Sequence, residues 1–202
     1  MNRPAPLSRI DRSPRAGFST VSMIISMTLL ALVLMPILGT VLSGQRNFAN
    51  SWDRARVQGS ARFAHLSLTR LLRAAGSDPV GGAVPGVDPD PLGNGIFDNL
   101  RLRADYNPPD GDTDDPGEDL TFFVRSDTMY VRSGGNPEEP YLIGVDSLAF
   151  EYFDVDGVAI TDPDRVTRRA YTARITIRAR GEVPGSDAEQ LIVGLVRLRN
   201  GR

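Results

Sequence analysis

Residues 18–42 form a run of 25 positions without a single charge. About 20 consecutive apolar residues suffice for a helix to cross a bilayer. Polar residues enter at Ser43, but the apolar signal continues in a different form. Phe48, Trp52, Ala55, Gly59, Phe63 and Leu66 recur at spacings of three or four, and Leu68, Leu71, Leu72 and Ala75 extend the stripe. That spacing predicts a one-sided helix whose aromatic stripe faces a folded core. Arg46, Arg54, Arg56, Arg62 and Arg70 fall mostly off the stripe. A helix continuous over 18–75 would measure about 87 Å at 1.5 Å per residue. Only its second half suits a small domain; the first half belongs in lipid or among other apolar helices. Pro36 and Gly39 interrupt the apolar half, because proline removes one helical hydrogen bond. A local break there, or a simple kink in a membrane span, fits both residues. Gly76 is placed to end the helix, since glycine enters the left-handed conformation freely.

Beyond the helix the period changes. Pro79, Pro85, Pro89 and Pro91 with several glycines predict irregular structure over 77–119, apart from a short strand at 100–103. Residues 120–125 and 128–132 read as a hairpin across Ser126-Asp127. Ser133 to Pro140 reads as a turn-rich loop. Leu148, Phe150 and Tyr152 alternate with Ala149, Glu151 and Phe153. Between 170 and 180, Tyr171, Ala173, Ile175, Ile177 and Ala179 alternate with Thr172, Arg174, Thr176, Arg178 and Arg180. Alternation of this kind marks a half-buried antiparallel strand, and residues 191–199 read as the last one. One apolar sheet face and one apolar helix stripe bury each other, so the expected fold class is α+β: a long N-terminal helix packed on an antiparallel β-sheet.

Composition and charge narrow the function classes. The chain has 202 residues and a net charge of −2. Residues 1–17 hold Arg3, Arg9, Arg12 and Arg15 against Asp11, so the remainder carries −5. That balance speaks against a general polyanion-binding surface. Arg165, Arg168 and Arg169 form one basic cluster; it reads as a solvated loop, with DNA capture as the alternative. Every cation is arginine, and cysteine is absent, which excludes disulfides and thiolate metal sites. With one histidine (His65), no Gly-rich phosphate loop and no nucleophile motif, the chain is not expected to be an enzyme. Residues 105–119 hold seven carboxylates and no cation. Asp110, Asp112 and Asp114 alternate as calcium ligands do, although the prolines and the position of Gly111 break the EF-hand register. A solvated acidic turn is the competing reading.

The basic N-terminal stretch before an uncharged run predicts an N-in, C-out orientation. A secretory signal peptide fits poorly: the apolar run is too long, and Val41-Leu42-Ser43-Gly44 is a weak cleavage site inside a continuing helix. A plain uncleaved anchor and a cleaved leader both remain. Gly17-Phe18 sits at the boundary between charged and apolar residues, and here the chain resembles the type IV pilins and pseudopilins. The resemblance implies cleavage after Gly17 by prepilin peptidase and N-methylation of Phe18. Ser22 stands at the fifth position after that cut, where most members carry Glu. In the family that Glu is thought to pair with the N-terminal amine of a neighbouring subunit, and a carboxylate in a bilayer needs such a reason. Its replacement implies a specialised minor subunit that initiates or caps assembly.

Two further stretches carry the resemblance. Residues 58–64 and 71–76 are similar to the helix end of PilW-type minor pilins. Residues 145–152, the turn at 154–157 and the Arg/Ile alternation at 174–178 are similar to strands of PilW-type subunits and of J-type minor pseudopilins of type II secretion. The resemblance implies the division 1–17 leader, 18–42 membrane and assembly half-helix, 43–76 amphipathic half-helix, 77–119 loop region and 120–202 sheet. It assigns Ser22, Pro36 and Gly39 to assembly and makes calcium at Asp110, Asp112 and Asp114 admissible. The implied partners are other pilin or pseudopilin subunits, the peptidase and an inner-membrane assembly platform. The implied location is the bacterial inner membrane, then a pilus or pseudopilus.

Overall fold

A computed structural model describes residues 19–81, 84–106, 108–181 and 188–198. The chain divides into two units, Met1–Asn47 and Phe48–Arg202. In the first, the described residues form the start of helix α1 (Thr20–Ala74), and nearly every one is exposed. The helix runs continuously through Pro36 and Gly39. Three of its hydroxyls turn inward along the backbone. Ser26 donates to the Ser22 carbonyl at 2.9 Å, Thr28 to Ile24 at 2.8 Å and Thr40 to Ile37 at 2.8 Å. Bonded this way, they leave little unsatisfied polarity on an apolar rod.

The second unit contains the rest of α1, a short helix and two antiparallel sheets, where the sequence reading expected one. Strands β1 (Val87–Asp88), β2 (Leu100–Arg103), β3 (Asp119–Arg125), β4 (Thr128–Ser133) and β5 (Glu139–Ile143) form a meander in chain order. Strands β6 (Val145–Phe153), β7 (Ala159–Ile160), β8 (Thr172–Arg180) and β9 (Glu189–Arg197) form the second sheet in the order β7-β6-β8-β9. Helix α2 (Pro163–Arg169) lies between β7 and β8 in the chain. Asp162 caps it, its carboxylate accepting from the Asp164 N–H at 3.0 Å, with Pro163 in the first turn.

Local chemistry explains the joints. Ser126 and Asp127 both have positive φ, 50° and 56°, as a two-residue hairpin turn requires. Gly76 ends α1 at φ 71° and donates its N–H to the Arg103 carbonyl at 2.8 Å. Arg103 donates in turn to Gly86 at 2.9 Å. A side chain on Gly86 would collide with the Gly76 backbone, so the chain passes this close to the helix end only because residue 86 is glycine. Arg101 grips Asp119 through two hydrogen bonds, one of 2.7 Å from Nε, and this bonding raises the arginine further above its usual range.

One core is shared by both sheets and the helix. It joins Ala64, Leu68 and Leu72 to Leu100, Phe122 and Met129 of the first sheet, and to Phe150, Tyr152, Ile175, Ile177 and Val196 of the second. Each fully buried side chain of this size stabilises the fold by about 1.5–3 kcal/mol relative to exposure. The strict alternation read over 170–180 is the cause: Ala173, Ile175, Ile177 and Ala179 are fully buried, and the residues between them are not.

Candidate assembly surfaces

The buried face of α1 is not the aromatic stripe. Asp53, Val57, Ala61, Ala64, Leu68 and Leu72 point into the domain. Phe48, Trp52, Phe63 and Leu66 are 73%, 69%, 52% and 67% exposed. At about 100° per residue the two sets lie on opposite sides of the helix. The expectation that the aromatics form core is therefore overturned. The physical reason lies in the space left beside two glycines, Gly181 and Gly194. A Cβ on Gly181 would fall 2.9 Å from the Asp53 carboxyl carbon and 3.0 Å from the Ala188 Cβ. A Cβ on Gly194 would fall 2.7 Å from His65 Cε1 and 2.9 Å from its Cδ2. The missing side chains at Gly181 and Gly194 leave the space that Asp53 and His65 fill, so this face of the helix packs on that side of the domain. His65 accordingly serves packing. Its Nε2 is buried and has no hydrogen-bond partner among the described residues.

The second unit thus carries an apolar face in addition to the one it buries. Beside Phe63 and Leu66 lies an open groove of about 540 Å³, lined also by Ser67, Thr69, Arg70 and Arg73. Phe63 is held at one side by the Tyr141 ring, 6.0 Å between centroids, and Tyr141 meets Phe122 edge-on at 5.6 Å. In the first unit, Val21, Met23, Ile24, Ile25, Leu29 and Leu30 are among the apolar side chains more than half exposed. By length and composition this stretch of α1 can cross a membrane. Ser22 is half-buried and its carbonyl accepts from Ser26. Gly17 and Phe18, where processing is expected, lie outside the described residues.

The acidic stretch folds into a stair of turns. Asp105 is fully buried and accepts from the N–H groups of Asp110 and Gly111 at 3.1 and 2.9 Å. Asp110 accepts from Asp112 N–H at 3.2 Å, and Asp112 from Asp114 N–H at 3.0 Å. Glu118, also buried, accepts from the Tyr106 N–H at 2.7 Å. Desolvation and then the charges of Asp110, Glu118, Asp112 and Asp105 push the Asp115 carboxyl above its usual range. Among the described residues, the carboxylates are not gathered into a group of three suited to a metal ion. Arg165, Arg168 and Arg169 are all exposed on α2. The expected loop is thus a short helix, and Asp162-Pro163 is its recognisable start.

Compared with known proteins, the chain matches no family model and no curated protein at a significant level. The observations establish an α+β protein whose long apolar N-terminal helix, packed at its far end on antiparallel sheets, suits a membrane anchor or a signal.

Proposed function

We propose that the chain is a minor, PilW-like subunit of a type IV pilin-type assembly. In this reading prepilin peptidase removes residues 1–17, and the apolar half-helix holds the subunit in the bacterial inner membrane, N-in and C-out. The assembly platform then moves it into a bundle of like helices. There the apolar surface of α1 leaves lipid for other subunits, and the sheets face outward. Ser22 brings no carboxylate to pair with a neighbouring amine, which suits a subunit that begins or caps the assembly.

The observation that carries the reading is the second apolar face on α1. A bitopic anchor needs an apolar span and a folded domain, and has no use for Phe48, Trp52 and Leu66 left in solvent on the domain's own helix. A subunit that packs along its helix needs that face outside the bilayer as well. The N-terminus of the protein isolated from native membranes, read by mass spectrometry, is the test. A chain beginning at N-methylated Phe18 is expected. An intact leader, in cells whose major pilin is processed, would overturn the assignment and leave a membrane-anchored domain.

A further inference from the structure

The geometry points to β9 as a self-pairing edge, through which two copies of this chain join antiparallel about a two-fold axis at Val193. Among the described residues, four strands end the two sheets. Two of them, β1 and β7, are two residues long, and β5 is five residues long and holds Pro140. Short edges and edge prolines are the usual protections against strand addition. The fourth, β9, has neither: it runs nine residues, Glu-Gln-Leu-Ile-Val-Gly-Leu-Val-Arg, and among the described residues pairs only with β8.

Its backbone polarity can be read from the ends of the ladder. Gly181 donates to the Ala188 carbonyl at 2.7 Å, and Leu198 donates to the Tyr171 carbonyl at 2.9 Å. The register between β8 and β9 is unbroken. Even-numbered residues of β9 therefore direct their N–H and C=O groups to β8. The odd-numbered ones, Glu189, Leu191, Val193, Leu195 and Arg197, direct theirs to the free edge. The same odd positions hold the exposed side chains, with Leu191, Val193 and Leu195 at 52%, 54% and 64%. Donors, acceptors and apolar side chains thus coincide in one row.

That row is its own complement. Antiparallel pairing centred on Val193 sets Val193 against Val193 of the second copy, Leu191 against Leu195, and Glu189 against Arg197. Cross-strand apolar and opposite-charge pairs of this kind stabilise a sheet. Glu189 already meets Arg178 of its own sheet at 3.2 Å, so pairing places the carboxylate between two guanidiniums. The contact is isologous and closes at two copies. It rests on the sheet edge alone and does not depend on the proposed function. Within the folded unit, α1 and β9 run in the same direction, Asp53 lying by Ala188 and His65 by Gly194. A two-fold therefore sets these helix segments antiparallel. A paired copy is unavailable to any assembly whose helices all point one way.

The absence of cysteine makes the test direct. Single cysteines are placed in the full-length chain, in membranes or detergent, and disulfide formation is followed under mild oxidation. Val193→Cys is expected to cross-link at least about tenfold faster than Val155→Cys, an exposed position before β7, because antiparallel partners lie within disulfide reach. A mixture of Leu191→Cys and Leu195→Cys chains is expected to link to each other faster than either links to itself. Adding Val193→Pro should return that mixture to background with unchanged circular dichroism, since the lost N–H faces the edge. Val193→Cys linking no faster than Val155→Cys overturns the pairing. Leu191→Cys linking to itself as fast as to Leu195→Cys overturns the register.

Discussion

His65 and Gly194 show how a single missing methyl group sets the position of a helix. The imidazole occupies the space a Cβ on residue 194 would take, and Asp53 stands in the same relation to Gly181. Both glycines lie where the helix crosses the second sheet, so neither reflects a need for unusual backbone angles. Gly194→Ala must displace the His65 imidazole, or failing that β9 or α1. Overpacking of this kind typically costs about 1–3 kcal/mol. If the collision with the imidazole is the cause, His65→Ala in the same chain should recover most of the loss. A double-mutant cycle of denaturant unfolding then gives a coupling energy well above the few tenths of a kcal/mol seen for independent sites. A near-zero coupling would mean that Gly194 is required for another reason, such as the twist of an edge strand.

At the scale of the element, α1 has two apolar faces with different uses, and stability measurements separate them. Leu68 is fully buried between the sheets, and Leu66, two positions earlier, is 67% exposed. Leu68→Ala is expected to cost about 2–5 kcal/mol, as cavity-forming substitutions do. Leu66→Ala should stay within about 0.5 kcal/mol, as for surface positions. Urea unfolding of the two variants checks both. This pair also locates the limit of the sequence reading. Periodicity located α1, the hairpin at 126–127 and the alternating strand at 170–180, because each is a local pattern. It joined two faces of α1 into one stripe because both carry apolar residues at helical spacing: Leu68, Leu72 and Ala75 are core as expected, whereas Phe48, Trp52, Phe63 and Leu66 are exposed. The side that packs on the second sheet places Asp53 and His65 in the space left at Gly181 and Gly194, a fit that local periodicity does not display. Strand β5 escaped notice because Asn136-Pro137-Glu138-Glu139-Pro140 has the composition of a loop. Its pairing with β4 is supplied by the neighbour, not by its own propensity. The second sheet was missed for a related reason, since strand partners are set by topology and leave no trace in local alternation.

For the molecule as a whole, the placement of the one tryptophan offers a reading of assembly that needs no substitution. Trp52 lies on the outward face of α1 in the folded unit and is 69% exposed. In the proposed function that face leaves solvent when the subunit joins a helical bundle. The indole emission of the purified subunit should therefore be that of a water-exposed ring, and it should shift to shorter wavelength in the assembled state. Pairing through β9 predicts the opposite result for the same probe. That contact lies on a sheet edge, so a dimer linked at Val193→Cys should keep the emission of the single copy. Comparing the free subunit, the linked dimer and the assembled fraction thus tests the two surfaces independently. If assembly left Trp52 as exposed as before, the outward face of α1 would not be the surface on which subunits pack. Trp52→Ser together with Leu66→Ser makes the complementary test. The folded unit should melt within a degree or two of the parent, because neither side chain is buried in it. Recovery of the subunit in the assembled fraction should fall by about tenfold, the loss expected when roughly 1.4 kcal/mol of packing is removed. An unchanged melt with unchanged recovery would reject the helix face as an assembly surface. A lowered melt would instead show that these side chains support the fold itself.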